Sequence, residues 1–194
     1  MSLYKFARNI LTIIFKLIYR VNIYNIDNIP LKGNIIICSN HISNLDPITL
    51  AVSVPRQVHF MAKKELFKNK LLGRILKEVG AFPVDRQGTD LSAIKKSLKV
   101  LKDDNALGIF PEGTRVKKKE ESKVKPGIAM ISIKSKSPII PIYIKSTYKL
   151  FTKIDVFIGS PIDLSNYKKS KLNIDEYKSL SNEVMDKIYK LNQS

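Results

Sequence analysis

Apolar and polar positions along the chain alternate between helical and strand periods. Residues 3–20, LYKFARNILTIIFKLIYR, carry Lys5, Arg8, Thr12, Lys16 and Arg20 at steps of three or four on an otherwise apolar helix. A wide apolar arc beside so narrow a cationic stripe suits an amphipathic helix lying in a membrane interface, and the same period also suits a terminal helix docked on its own domain. Residues 21–26 read as a short strand and 27–33 as a turn. The apolar run Ile35-Ile36-Ile37-Cys38 has the length of a buried strand, and residues 47–54 follow as a helix. Residues 57–62 read as a strand. One or two basic helices occupy 63–79, with Leu66, Phe67, Leu71, Leu72, Ile75 and Leu76 expected inward and Gly80 as the stop. Further strands are predicted at 81–84, 106–110, 139–144 and 154–158, and further helices at 89–102, 127–136 and 175–191. Strands alternating with helices predict an α/β fold: a single domain with a mainly parallel or mixed central sheet flanked by helices. Residues 1–20 form the membrane-associating helix and 21–194 the domain proper.

Composition adds limits. At 194 residues and 44% hydrophobic content, the chain suits one globular domain with a real core. Its single cysteine, Cys38, falls in the predicted core strand, so no disulfide framework forms within one chain. Thirty-four Lys and Arg against seventeen Asp and Glu give a net charge of +17, which predicts attraction to polyanions. Beside that reading stands compositional drift, since the chain is also rich in Ile and Asn, as a coding sequence biased toward A and T would produce. No zinc-finger or aromatic-basic RNA-binding pattern is present, and nucleic acid is not an expected partner. The longest stretch without Asp, Glu, Lys or Arg is 33–45, short of the roughly 20 apolar residues of a membrane span. Lys16 and Arg20 interrupt what would be the core of a secretory signal, so none is expected.

Candidate chemistry begins at residues 34–46, NIIICSNHISNLD, which read strand, polar loop, helix start. His41 and Asp46 thus sit together at a strand exit, where α/β proteins place their chemistry. Asp46 before Pro47 is also a good helix cap. Beside the capping reading stands a chemical one: the carboxylate holds one ring nitrogen while the other takes a proton from a substrate hydroxyl. Of the two histidines, His59 lies in an alternating strand and suits a structural role. Three more strand or helix corners carry charge or glycine: Asp85-Arg86, Pro111-Glu112-Gly113-Thr114-Arg115, and Lys125-Pro126-Gly127. Gly113 allows close backbone approach, Gly127 opens a helix whose N–H groups suit an anion, and Arg86 and Arg115 suit bidentate phosphate binding. Taken singly, these also read as a surface ion pair, an ordinary turn and, at Lys117 to Lys119, a solvated run.

Together the segments resemble the glycerophospholipid acyltransferase family. Residues 40–46 have the NHxxxxD form and residues 110–115 read FPEGTR. GAFPVDR at 80–86 is similar to the family's second block, and Ile140-Pro141-Ile142 resembles its fourth. Order and spacing are most like those of the small bacterial members acting on 1-acyl-sn-glycerol 3-phosphate. The resemblance implies transfer of an acyl chain from acyl-CoA or acyl carrier protein to the 2-hydroxyl of lysophosphatidic acid, giving phosphatidic acid. His41 becomes the general base and Asp46 its orienting carboxylate. Arg86, Glu112, Gly113, Thr114, Arg115 and Lys125 become acceptor-binding residues, with Glu112 expected to orient an Arg or a hydroxyl. Direct transfer is expected, without a covalent intermediate, cofactor or metal, and Cys38 is a poor nucleophile candidate. The expected place of work is the cytoplasmic face of the cell membrane, peripheral or monotopic, on an anionic surface. Two alternatives are another lysophospholipid or acylated amino-acid lipid as acceptor, and an inactive basic membrane-binding protein.

Overall fold

Ile35, Ile36, Ile37, Cys38 and Ser39 are all buried, and this strand, β2 (Ile35–Ser39), lies at the centre of the sheet. Its side chains divide by the strand period of two. Ile35 and Ile37 enter one apolar cluster, and Ile36 and Cys38 enter another on the opposite face. A run apolar at every position is what burial on both faces requires. The computed structural model describes residues 3–85, 90–116, 122–167 and 172–193.

Among the described residues, the other strands are β1 (Arg20–Tyr24), β3 (Val58–Lys63), β4 (Phe82–Val84), β5 (Ala106–Ile109), β6 (Ile139–Ser146) and β7 (Lys153–Ile158). They form one 7-stranded sheet in the order β1-β7-β6-β2-β5-β3-β4. β6, β2, β5, β3 and β4 are mutually parallel, β7 is antiparallel to β6, and β1 is parallel to β7. The sheet is therefore mixed, and β1 and β7 run against the rest. Helices α1 (Leu3–Ile18) and α2 (Asp46–Ser53) cover the cluster that holds Ile35 and Ile37. Helices α4 (Leu91–Lys102), α5 (Gly127–Ser135) and α6 (Ile174–Lys190) cover the other face.

One expectation about packing is corrected here. Helix α3 (Lys70–Glu78), after the 3-10 turn at Lys64–Phe67, does not bury its leucines. Leu66, Leu71, Leu72 and Ile75 are exposed, and Gly73 is the buried position. A β-carbon at Gly73 would lie 2.8 Å from the Phe67 carbonyl oxygen, so the helix meets its neighbour through backbone. The 3-10 turn before it contacts β3 and the edge strand β4, and α3 in turn contacts that 3-10 turn. In α1 the polar stripe is not all solvent-facing. Arg8 Nε and Nη2 donate to the carbonyls of Ala51 (3.0 Å) and Val54 (2.9 Å) at the end of α2. Tyr4 and Phe15 are buried on that side, while Phe6, Ile10, Ile13, Ile14 and Leu17 are exposed. The helix ends at Ile18, and Arg20 already belongs to β1. Among the described residues, no helix is long and apolar enough to cross a membrane.

Candidate active site

Sheet register assembles the site. Cys38 of β2 pairs with Ile109 of β5, and three residues beyond each stand His41 and Glu112. The two loops leave adjacent parallel strands at the same edge and are tied together twice. The His41 backbone N–H donates to Glu112 Oε2 at 2.8 Å, and the Val116 N–H donates to the His41 carbonyl at 2.7 Å. On the other side, the buried Asn40 side chain exchanges hydrogen bonds with the backbone of Ile144, at 3.0 and 2.8 Å, and so extends the pairing of β2 with β6.

The His41 ring is fixed from several directions. Its Nδ1 is 2.8 Å from Asp46 Oδ2. An acceptor at that distance places the ring proton on Nδ1 and leaves the lone pair on Nε2. The ring stacks on Phe110 with centroids 4.3 Å apart, and Phe110 stacks on Phe60 at 6.1 Å. Gly108 makes room for that second ring, since a β-carbon there would lie 2.3 Å from Phe60 Cε1.

Asp46 does not cap α2, contrary to one reading of its sequence position. It is the helix's first residue, its neighbour Leu45 is the cap, and no side-chain capping bond is made. The carboxylate turns back into the loop instead. Oδ2 accepts the N–H groups of Ile42 and Ser43, both at 2.7 Å, besides facing His41. Oδ1 accepts the Tyr148 hydroxyl at 2.7 Å. Thr49 Oγ1 lies 2.9 Å from the same phenol oxygen and supplies its donor. Burial, and then the charge of Asp46, push the Tyr148 phenol well above its ordinary pKa, so it stays a donor.

The FPEGTR loop separates into buried and exposed parts. Glu112 is 3% exposed and acts inside the protein: besides the His41 N–H, its Oε1 accepts the hydroxyls of Ser122 (3.0 Å) and Tyr189 (2.7 Å). It holds hydroxyls, as one expectation for it had it, and ties the two loops to α6. Thr114 and Arg115 are exposed beside it. Gly113 has φ +65°, and a β-carbon there would lie 3.0 Å from Lys125 Cε, so the lysine stem crosses the glycine. Arg86 and Lys117 to Lys119 lie outside the described residues.

A cavity of about 210 Å³ is lined by His41, Phe110 and Lys125 together with Met61, Ile94 and Met130. Most of its lining is apolar, with Asp85 and Asp90 among the polar members. His59 stands elsewhere, its Nδ1 donating to the Gly80 carbonyl at 3.1 Å, and burial lowers its pKa. Burial pushes the Cys38 thiol well above its ordinary pKa, as does the Glu112 charge, which disfavours the nucleophilic thiolate. Among the described residues, no group of three or more His, Cys, Asp or Glu is placed to hold a metal ion. Sequence reading did not single out Tyr148, Tyr189 or Ser122. Tyr148 follows the last motif-bearing strand in a loop, and Tyr189 lies off the apolar stripe of its helix, so neither carries a periodic signal.

The chain is similar to known proteins of one family. The family model described as Acyltransferase matches residues 20–145. The chain is 39% identical over 171 residues to the 1-acyl-sn-glycerol-3-phosphate acyltransferase of Bacillus subtilis, covering 85% of each. It is 34% identical over 178 residues to the enzyme of that name from Streptococcus pneumoniae, covering 88% of this chain and 65% of the relative. In fold it is similar to the crystal structure of the 1-acyl-sn-glycerophosphate acyltransferase PlsC of Thermotoga maritima. The TM-score is 0.70 at 24% identity, over 98% of this chain and 82% of the other.

Proposed function

Because the chain belongs to the acyltransferase family, whose matched region, residues 20–145, holds both loops of the site, we propose that it acylates the 2-hydroxyl of 1-acyl-sn-glycerol 3-phosphate from an acyl thioester. The observation that carries the reading is His41 Nδ1 held 2.8 Å from Asp46, with His41 lining the largely apolar cavity. With its proton on Nδ1, the ring has Nε2 to receive the proton of the acceptor hydroxyl. The hydroxyl oxygen then bonds to the thioester carbonyl carbon. Collapse of the tetrahedral species breaks the carbon–sulfur bond, and the thiolate leaves with the proton returned by His41. The products are phosphatidic acid and a free thiol. Asp46 orients the ring and stabilises its protonated state.

Arg115, Lys125 and the backbone at Gly113 are assigned to the acceptor's phosphate, with Thr114 beside them, because Arg and Lys supply the positive charge it needs. Arg86 is assigned to the same phosphate on its motif position alone. The apolar cavity suits an acyl chain. The exposed apolar face of α1, where Leu17 is 72% exposed, suits the interface of an anionic bilayer, on which both the lysolipid acceptor and the product reside. Acyl-CoA and acyl carrier protein both present anionic groups to a chain of net charge +17.

The test is thiol release from acyl-CoA and from acyl carrier protein in lipid vesicles, with and without lysophosphatidic acid. Release should require the lysolipid, and His41→Ala should lower it by about 10² to 10⁴. Release that needs His41 but prefers another lysolipid would keep the chemistry and change the acceptor. No release from either donor would reject the enzyme reading.

A further inference from the structure

The loop between β6 and β7, residues 147–152, projects two large apolar side chains, Leu150 at 68% and Phe151 at 75% exposure. Both Tyr148 (φ 54°) and Phe151 (φ 59°) adopt the left-handed backbone region that non-glycine residues avoid. Such a conformation persists where its surroundings fix it, and this loop is fixed at both ends. The Phe151 N–H donates to the Ile18 carbonyl at 2.9 Å, and the Arg20 N–H donates to the Thr152 carbonyl at 3.2 Å, which joins the loop to the end of α1. Tyr148 reaches Asp46 Oδ1 at 2.7 Å, and its ring meets Tyr19 edge-on at 6.1 Å. The strand directions place these features at one end of the sheet. β1 and β7 run against β2 and β6, so the end of α1, the loop and His41 share one edge.

We propose that this loop is a bilayer contact coupled to the catalytic base: Leu150 and Phe151 enter the apolar layer of an anionic membrane beside the end of α1, and Tyr148 carries that seating to Asp46 and His41. The inference rests on the reading of His41 and Asp46 as the base of a membrane-surface acyl transfer. Charge selects the occupant. Lys16, Arg20, Lys149 and Lys153 are exposed around the apolar tip, an arrangement that matches acyl chains beneath a layer of phosphates. A second copy of the chain docked on this tip by a two-fold axis would bring these cations against their own kind. The apolar tip is also continuous with the exposed face of α1 through Leu17. Tyr148 is a positioning residue: it touches the carboxylate that orients the base and is not assigned to substrate.

The sequence contains no tryptophan, so Phe151→Trp supplies a single reporter. In phosphatidylglycerol vesicles with brominated acyl chains, its fluorescence should shift to the blue and be quenched. Leu31→Trp, at an exposed position before β2 and so at the opposite end of the sheet, should not respond. The double variant Leu150→Ser, Phe151→Ser should lose about tenfold in rate on lysolipid embedded in the vesicles. It should keep the wild-type rate on a short-chain lysolipid dispersed as monomers. Tyr148→Phe should lower kcat by about ten- to a hundredfold on the monomeric lysolipid with KM unchanged, the loss expected for one hydrogen bond to a charged group. A reporter at 151 that stays unquenched while the protein sediments with vesicles overturns the contact. A quenched reporter with full vesicle rate in the double variant, or full kcat in Tyr148→Phe, overturns the coupling. Quenching at 151 with no thiol release by the wild-type chain rejects the acyl-transfer reading and leaves the contact standing.

Discussion

Asp46 and Glu112 are both buried carboxylates within reach of His41, and their hydrogen bonds give them different work. Asp46 meets the ring itself, at Nδ1, while Glu112 meets only the backbone N–H of the same residue. Three donors from separate parts of the chain, His41, Ser122 and Tyr189, converge on Glu112. Burial, and then the Glu112 hydrogen bond and charge, push the Tyr189 phenol up, so it remains a donor to the carboxylate. Glu112→Gln turns an amide N–H₂ toward one of these donors and should cost about 1–3 kcal/mol of stability. Urea unfolding without substrate measures this. Unchanged stability combined with a raised KM for the lysolipid would instead make Glu112 an acceptor-binding residue.

At the scale of elements, α4 shows how a helix start holds part of the cavity wall. Asp90 is its N-cap, accepting the Ala93 N–H at 3.0 Å, and it also accepts the Ser92 hydroxyl and the Asp85 N–H. The Asp85 N–H, then the Ser92 hydroxyl and the Ala93 N–H, lower its pKa from 3.8 to about 2. A carboxyl depressed by folding stabilises the folded state above its unfolded pKa, and that contribution disappears as pH falls toward 2. Asp90→Ala should therefore cost about 1 kcal/mol at neutral pH, the usual value of a lost cap, and Asp90→Asn much less. The difference between wild type and Asp90→Ala in thermal unfolding should shrink between pH 4 and pH 2. A gap that stays constant over that range would mean the charge contributes nothing. Helix α3 carries a different lesson, because Leu71 and Leu72 are exposed while its one glycine makes the close approach.

The whole molecule combines a net charge of +17 with exposed apolar faces on α1, α3 and the β6–β7 loop. On the proposed reading two forces would hold it to an anionic surface, and salt separates them. Electrostatic attraction is screened over about 10 Å at 0.1 M and about 3 Å at 1 M salt, whereas apolar insertion is not weakened by added salt. Sedimentation with phosphatidylglycerol vesicles should weaken markedly between these concentrations yet leave a residue of binding. Binding to neutral phosphatidylcholine vesicles should hardly change. Equal salt response on both lipids would exclude a role for the charge.

Local patterning determined much of this protein. The run at Ile35 to Cys38 specified a strand buried on both faces, because no polar side chain there could satisfy a solvent-facing side. The forms NHxxxxD and FPEGTR marked the two loops, since their residue types are unusual together and each follows a short apolar strand. What the tertiary structure decided are relations between segments far apart in the chain. Parallel register alone sets His41 beside Glu112, from strands whose pairing no local period encodes. Capping was the local expectation for Asp46; the loop N–H groups and Tyr148, 102 residues away, take its oxygens instead. A helical period shows that α3 has an apolar face but not which way it turns, because direction depends on what lies across from it. Tyr148 left no sequence signal for the same reason: its place at Asp46 arises from the crossing of β6 over to β7, a property of the folded sheet.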